Sequence, residues 1–253
     1  MSVFFIIKLG DNMKVRVVGS GNLWTARNSA SYVIDNKIVV DFPNGMCKDL
    51  LKQGIDPGTI DNVLITHFHA DNYFDIPFYF LLKSNASYKH IYMACGKEGK
   101  KKNLNLLKMA FPNSFKEIMN DISIKYEYRN NFTIDDYIIS KILVDHGRMK
   151  PSYGYVINKG DVKAGFTGDT TICRNVEVMA SVCDYLFCDC TLIEGTDKHM
   201  GIDMIQELVK KYTNCIFVVS HLSESTRKEL LKLNIKNVIV PDDGTVIEIK
   251  NKK

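Results

Sequence analysis

Apolar and polar residues alternate through Lys14-Val15-Arg16-Val17-Val18, and short apolar runs recur at Tyr32-Val33-Ile34, Ile38-Val39-Val40 and Val63-Leu64-Ile65. Such runs, punctuated by Asn36 and Asp56-Pro57-Gly58, predict the early strands of a β-sheet. A short helix is expected over residues 47–53, closed by Gly54, and an apolar helix over 74–83. After a strand at 91–94, residues 100–119 read as a helix broken at Pro112, followed by strands near 122–128 and 138–144. Residues 153–157 and 162–166 predict a hairpin across Lys159-Gly160-Asp161.

The last third alternates more regularly. A helix over 175–181, a strand over 185–188 and a helix over 203–212 follow in turn. Asp203 and Gln206 form a candidate capping box, and Ile205, Leu208, Val209 and Tyr212 share one face. A strand over 216–219 leads to His221, Ser223 is placed to cap a helix reaching Leu231, and strands at 238–240 and 246–249 close the pattern. Strand runs followed by alternating helices and strands fit an α/β chain with two mixed sheets sandwiched between helices.

Composition narrows this little. The 253 residues are 45% hydrophobic and 25% charged with a net charge of +4, as in ordinary globular proteins. The apolar run at residues 3–7 is too short to span a bilayer, so a cytoplasmic protein with no membrane partner is expected. Seven cysteines, an odd number without CxxC spacing, are expected to be mostly reduced and buried, Cys188 and Cys190 as core. Lys97 to Lys102 and the 251–253 tail are the dense basic runs, the first expected to be a solvated helix start.

The chemistry is concentrated in the histidines. Thr66-His67-Phe68-His69-Ala70-Asp71-Asn72 directly follows an apolar run, and side chains at i, i+2 and i+4 of an extended segment lean to one side. His67, His69 and Asp71 are therefore expected to converge in a donor set suited to zinc or a similar divalent ion. His146, Asp169, His199 and His221 each stand at or near the end of a β-like run, so five of the six histidines fall at such places.

In order, these motifs resemble the metallo-β-lactamase superfamily, with its HxHxDH cluster, later His, bridging Asp and final His. Val39-Val40-Asp41-Phe42-Pro43, Pro151-Ser152-Tyr153-Gly154-Tyr155, Thr167-Gly168-Asp169-Thr170 and Ser220-His221-Leu222-Ser223 are similar to its ribonuclease Z and small-phosphodiesterase branch. The resemblance implies an αββα sandwich with the metal site at the strand ends, occupying residues 13–250. Residues 1–12 are then an N-terminal extension. Gly10-Asp11 is compatible with a ribosome-binding site, so translation from Met13 is expected.

By the same resemblance, His67, His69 and His146 hold one ion, Asp169 bridges, and Asp71 with His221 holds a second. Two divalent ions, zinc first and manganese as an alternative, then share a hydroxide that attacks the substrate. Asn72 departs from the family pattern, which has a histidine there, and is expected to weaken the second ion. His199 is implied as the proton donor to the leaving group, oriented by Asp189, with Asp71 also counted in the catalytic set.

Only 22 residues separate His146 from Asp169, room for a hairpin but not for the arm with which ribonuclease Z grips tRNA. The expected substrate is a small phosphodiester, most simply a cyclic nucleotide, with no stable nucleic-acid partner. Related phage enzymes open cyclic CMP and cyclic UMP. Tyr73, Phe74, Phe78, Tyr79, Tyr153 and Tyr155 are candidate walls for a base. Hydrolysis of thioesters, lactones or carboxylic esters, tRNA 3′ processing, and a degenerate nucleotide-binding scaffold remain as alternatives. A homodimer is implied by the resemblance alone.

Overall fold

In the computed structural model, which describes residues 12–250, two seven-stranded sheets carry the chain. The expected extension (apart from Asn12) and the basic tail lie outside the described residues. The first sheet contains β1 (Met13–Gly19), β2 (Ser31–Ile34), β3 (Ile38–Val40), β4 (Asn62–Leu64), β5 (His90–Ala94) and β6 (Ser123–Glu127) in that order, with β14 (Val246–Ile249) outside β1. The second contains β7 (Asn131–Ile134), β8 (Tyr137–His146), β9 (Met149–Lys159), β10 (Val162–Phe166), β11 (Tyr185–Asp189), β12 (Ile216–Ser220) and β13 (Val238–Ile239). Each sheet begins as an antiparallel meander and continues as parallel strands, from β3 onward in the first and β10 onward in the second.

The apolar pattern explains the layers. Val15 and Val17 enter a core between the sheets with Tyr155, Phe166, Phe187 and Val218, while Val18 faces the opposite way. In β3, Ile38 and Val40 join that central core and Val39 turns outward, so the strand is apolar on both faces because both are covered. The outer face of the first sheet packs under α1 (Met46–Lys52), α3 (Ile76–Asn85), α4 (Gly99–Ala110) and α5 (Phe115–Asp121). The second packs under α6 (Arg174–Val182), α7 (Ile202–Lys211) and α8 (Glu224–Leu233). This is the expected αββα sandwich. Among the described residues no helix is long and apolar enough to cross a membrane.

Local departures have identifiable causes. β7 is an additional strand that pairs with β8, and β9 starts at Met149, before the expected residue 153, because β8 and β9 stay paired down to His146↔Met149. The capping box does not form. Gly201 is the N-cap of α7, and the Asp203 carboxylate instead accepts from Gly195 N at 2.9 Å, satisfying a loop amide. Ser223 does cap α8, accepting from Thr226 N. None of the seven cysteines forms a disulfide, and all but Cys173 are buried.

Candidate metal centre

The donors collect where strands end. Asp41 follows β3, His67 follows β4, His146 ends β8, Asp169 follows β10, Asp189 ends β11 and His221 follows β12. Ligand sites in sheets of this kind lie beyond the carboxyl ends of parallel strands, because there successive loops can face one another. At Gly168 (φ 63°) a Cβ would stand 2.8 Å from Thr66 Cβ, so glycine allows the Asp169 loop to close on the His67 loop. His221 itself adopts φ 58°, a conformation uncommon outside glycine and held here by its surroundings.

His67 Nε2 and His69 Nδ1 are 3.0 Å apart, and His146 Nε2 is 3.2 Å from the same His69 nitrogen. Asp169 Oδ2 lies 3.7 Å from His67 Nε2, 4.0 Å from His146 Nε2 and 3.4 Å from His221 Nε2. The extended geometry thus brings His67 and His69 together as expected. Asp71 does not join them. His69 is the N-cap of a single helical turn, α2 (Ala70–Tyr73), which places Asp71 Oδ2 3.4 Å from His221 Nε2 instead. Two groups of possible ligands result, His67, His69, His146 and Asp169, and Asp169, His199 and His221. Asp169 belongs to both.

The partners of each ring fix which nitrogen faces inward. Thr66 Oγ1 donates to Asp41 Oδ2 (2.7 Å), so it is left to accept from His67 Nδ1–H (3.0 Å). Lys198 O can only accept, and takes the proton of His146 Nδ1 at 2.8 Å. Thr191 Oγ1 donates to Asp189 Oδ1 (2.7 Å) and accepts from His221 Nδ1–H (2.6 Å). His199 Nδ1–H donates to Asp189 Oδ2 at 2.8 Å. Four imidazoles are thereby held through a protonated Nδ1, and those of His67, His146 and His221 turn Nε2 to the centre, the arrangement that orients metal-binding histidines.

The electrostatics agree. Burial holds His67 well below the ordinary imidazole value, and neighbouring His146 and His69 push the same way. Burial likewise lowers His69 and His146. With His67 and His146 both acceptors at Nε2, a neutral His69 can offer them at most one proton between them, at 3.0 and 3.2 Å. An ion held tetrahedrally at about 2.0–2.1 Å sets its nitrogens roughly 3.3–3.4 Å apart, so the spacing fits a cation. At the second group burial opposes charging of His221, but Asp169 and the Asp71 hydrogen bond outweigh it and raise it to about 10. Burial raises Asp169.

Asn72 is buried, its Oδ1 has no hydrogen-bond partner, and its Nδ2 makes one long 3.4 Å contact to His67 Nδ1. A buried amide left so poorly satisfied costs about 1–3 kcal/mol, which an oxygen-binding ion beside it would relieve. The donor set therefore fits a divalent ion, while the Asn72 amide nitrogen lies beside Nδ1 of His67, the nitrogen turned away from the centre.

Three participants were not read from the sequence as part of the site. Asp41 and Thr66 set the His67 ring, and Thr191 links His221 to Asp189. The available signal was a polar residue immediately after an apolar strand, as in Val40-Asp41 and Ile65-Thr66. The aromatic wall needs correction. Tyr79 and Tyr155 are fully buried, with hydroxyls donating to Ile60 O and Ile65 O, so both are core. Phe78 is exposed and packs edge-on against Phe111. Phe74 is exposed, Tyr153 half-buried and Tyr73 mostly buried.

The sequence profile of the family described as Anti-Pycsar protein Apyc1 matches residues 13–235. No curated protein matches the chain. Among solved structures, the metallo-β-lactamase fold protein YhfI from Bacillus subtilis is 16% identical with a TM-score of 0.76, covering 94% of this chain and 100% of its own. A diphosphatase from the PhnP family is 18% identical at 0.74, covering 93% and 97%. Human short-form tRNase Z is 17% identical at 0.71, covering 92% and 98%. These likenesses establish the metallo-β-lactamase fold, and the profile, which spans most of the sandwich and every donor of the centre, establishes that the chain belongs to the Apyc1 family.

Proposed function

We propose that the protein is a metal-dependent phosphodiesterase that hydrolyses a small phosphodiester, most simply a cyclic nucleotide. One observation carries the reading: three inward lone pairs and the Asp169 carboxylate meet beside the Asp71–His221 pair, with His199 held next to both by Asp189. Divalent ions bound there would supply Lewis acidity toward a phosphoryl oxygen and a nucleophilic water at neutral pH. His67, His69 and His146 would hold one ion, Asp71 and His221 the other, and Asp169 both.

The remaining work falls to side chains. Burial opposes charging of His199, but the Asp189 hydrogen bond and negative charge prevail and raise its pKa. Its Nδ1–H is fixed on Asp189, so the protonated ring carries its second proton on Nε2, toward the centre. That proton can be passed to the departing oxygen when the phosphoester bond breaks. Residues 147–168 are occupied by the β9–β10 hairpin, which favours a small substrate over tRNA. The family description, anti-Pycsar, and the resemblance to enzymes that open cyclic CMP and cyclic UMP support a cyclic nucleotide.

The test is to incubate zinc- or manganese-loaded protein with 3′,5′-cyclic and 2′,3′-cyclic nucleotides, linear dinucleotides, bis-nitrophenyl phosphate, thioesters and lactones, and to separate the products chromatographically. Ring opening to a nucleoside monophosphate is expected. Turnover of thioesters or lactones without any phosphodiester would move the assignment to an ester hydrolase. Nucleotide binding without turnover of anything would make the chain a binding scaffold.

A further inference from the structure

Trp24 is the chain's single tryptophan and is 85% exposed, with Leu23 beside it 53% exposed. Scattered apolar side chains on a slack loop are unremarkable in a surface. The loop between β1 and β2 is not slack. Asn22 Oδ1 accepts from Trp24 N at 3.0 Å, Asn22 O accepts from Thr25 Oγ1 at 3.0 Å, and Gly21 N donates to Asn28 O at 2.9 Å. Ser20 N and Asn28 N both donate to Asp243, and Arg27 pairs with Asp242 at 2.6 Å. A Cβ on Gly21 would stand 2.2 Å from Thr25 Oγ1, so the turn admits no side chain there.

This rigid loop is fastened to the metal centre. Asn22 N donates to Leu222 O at 3.2 Å and Leu222 N donates to Ser20 O at 3.1 Å, and Leu222 is the residue after His221. Trp24 stands two residues, at most ~7 Å of chain, beyond Asn22. An exposed indole thus stands on the loop whose backbone is bonded to the residue after His221.

We propose that Trp24, flanked by Leu23, is the platform on which the base of a nucleotide stacks while its phosphate occupies the centre. The proposal rests on the phosphodiesterase reading above. Ions and polar side chains satisfy a phosphate, but the flat faces of a base need apolar cover, and the buried Tyr79 and Tyr155 do not provide it. Every base has a π-face, so one indole serves any of them. The fixed loop loses little conformational freedom when it engages.

Because the chain has one tryptophan, fluorescence of the native protein excited beyond the tyrosine absorption band reports Trp24 alone. Metal-loaded protein is titrated with 5′-CMP, 5′-UMP and 5′-AMP, and with ribose 5-phosphate as the base-free probe. The nucleotides should change the emission saturably and ribose 5-phosphate should not. Trp24→Ala should raise KM for a cyclic nucleotide by about 5- to 150-fold, the range for losing one stacked base, with a much smaller change in kcat. Trp24→Phe should recover most of the loss. Emission unmoved by saturating nucleotide, or a Trp24→Ala KM within twofold of the parent, overturns the stacking proposal while leaving the phosphodiesterase reading intact. Emission that follows protein concentration and ignores nucleotide assigns Trp24 to a contact between copies and overturns it too. If no phosphodiester is hydrolysed, that reading fails on the chromatographic assay, and the nucleotide titration still decides the role of Trp24.

Discussion

Replacing Thr191 by valine removes one oxygen and keeps the side-chain shape. That oxygen accepts from His221 Nδ1–H at 2.6 Å and donates to Asp189 Oδ1 at 2.7 Å. In Thr191→Val the buried Nδ1–H of His221 has lost its acceptor, a penalty of about 1–3 kcal/mol. The neutral ring that binds an ion can avoid it by moving its proton to Nε2, the nitrogen that would otherwise offer its lone pair to the second ion. Either way the second ion loses an oriented ligand. Loss of such a supporting contact weakens metal binding by about 10–100-fold, or ~1.4–2.7 kcal/mol. His67 and His146 are set by Asp41, Thr66 and Lys198, and none of these bonds involves Thr191, so the first ion should be unaffected. Zinc titration of the chelator-stripped protein against a chromogenic competitor should show one tight and one weaker site in the parent, with the weaker site alone loosened further in the variant. Thr191→Ser, which restores the hydroxyl, should bind like the parent. Affinities at both sites equal to the parent's in Thr191→Val would refute the inference that this hydroxyl sets the His221 tautomer.

Asp41→Asn should loosen the first ion by about 10–100-fold, because the amide cannot accept from both Thr66 N and Thr66 Oγ1 and frees Thr66 to donate to His67; the same titration reads it. Zinc at 100 times its Kd should raise stability by about 2.7 kcal/mol, some 5–10 °C in a melt of the stripped protein, and an unchanged midpoint would contradict a built site. The Arg129 hydrogen bond holds the Glu127 carboxyl down at about 2, against its ordinary value of 4.5. Its stabilisation is present above pH 4.5 and lost as pH falls toward 2, so Glu127→Gln should be less stable than the parent in denaturant titrations at pH 7 and equal to it near pH 2.

The candidate ligands were legible because each carries its own chemistry and follows an apolar run, so sequence order alone aligned His67, His69, His146, Asp169 and His221 with a pattern. The layers were legible for the same reason, since runs such as Ile38-Val39-Val40 betray strands covered on both faces. What supports the ligands was harder to see. Asp41 meets Thr66 across 25 positions and Thr191 meets His221 across 30, and no periodicity links residues joined only by the sheet register. Asp203 misled because three-residue spacing to Gln206 matches a capping box wherever it occurs, whereas the cap belongs to the residue that still has extended backbone, here Gly201. β7 was missed although Asn131-Phe132-Thr133-Ile134 alternates, because four residues after a turn carry too weak a signal alone.

Asp189 joins the two functions of the site. Its Oδ1 accepts from Thr191 N and Thr191 Oγ1, and its Oδ2 accepts from Thr170 N and His199 Nδ1. One carboxylate therefore orients His221, the proposed metal ligand, through Thr191 and His199, the proposed proton donor, directly. Asp189→Asn presents a single acceptor oxygen to these four donors, so whichever way the amide turns, one pair meets an N–H. If the amide oxygen stays with Thr191, His199 loses its anionic partner and its raised pKa, and turnover should fall at saturating metal while both ions bind as in the parent. If it turns to His199, Thr191 is released and the second ion weakens as in Thr191→Val. Measuring kcat and metal affinity on the same preparation separates the cases, and a variant with both unchanged would show that the negative charge of Asp189 has no part in either.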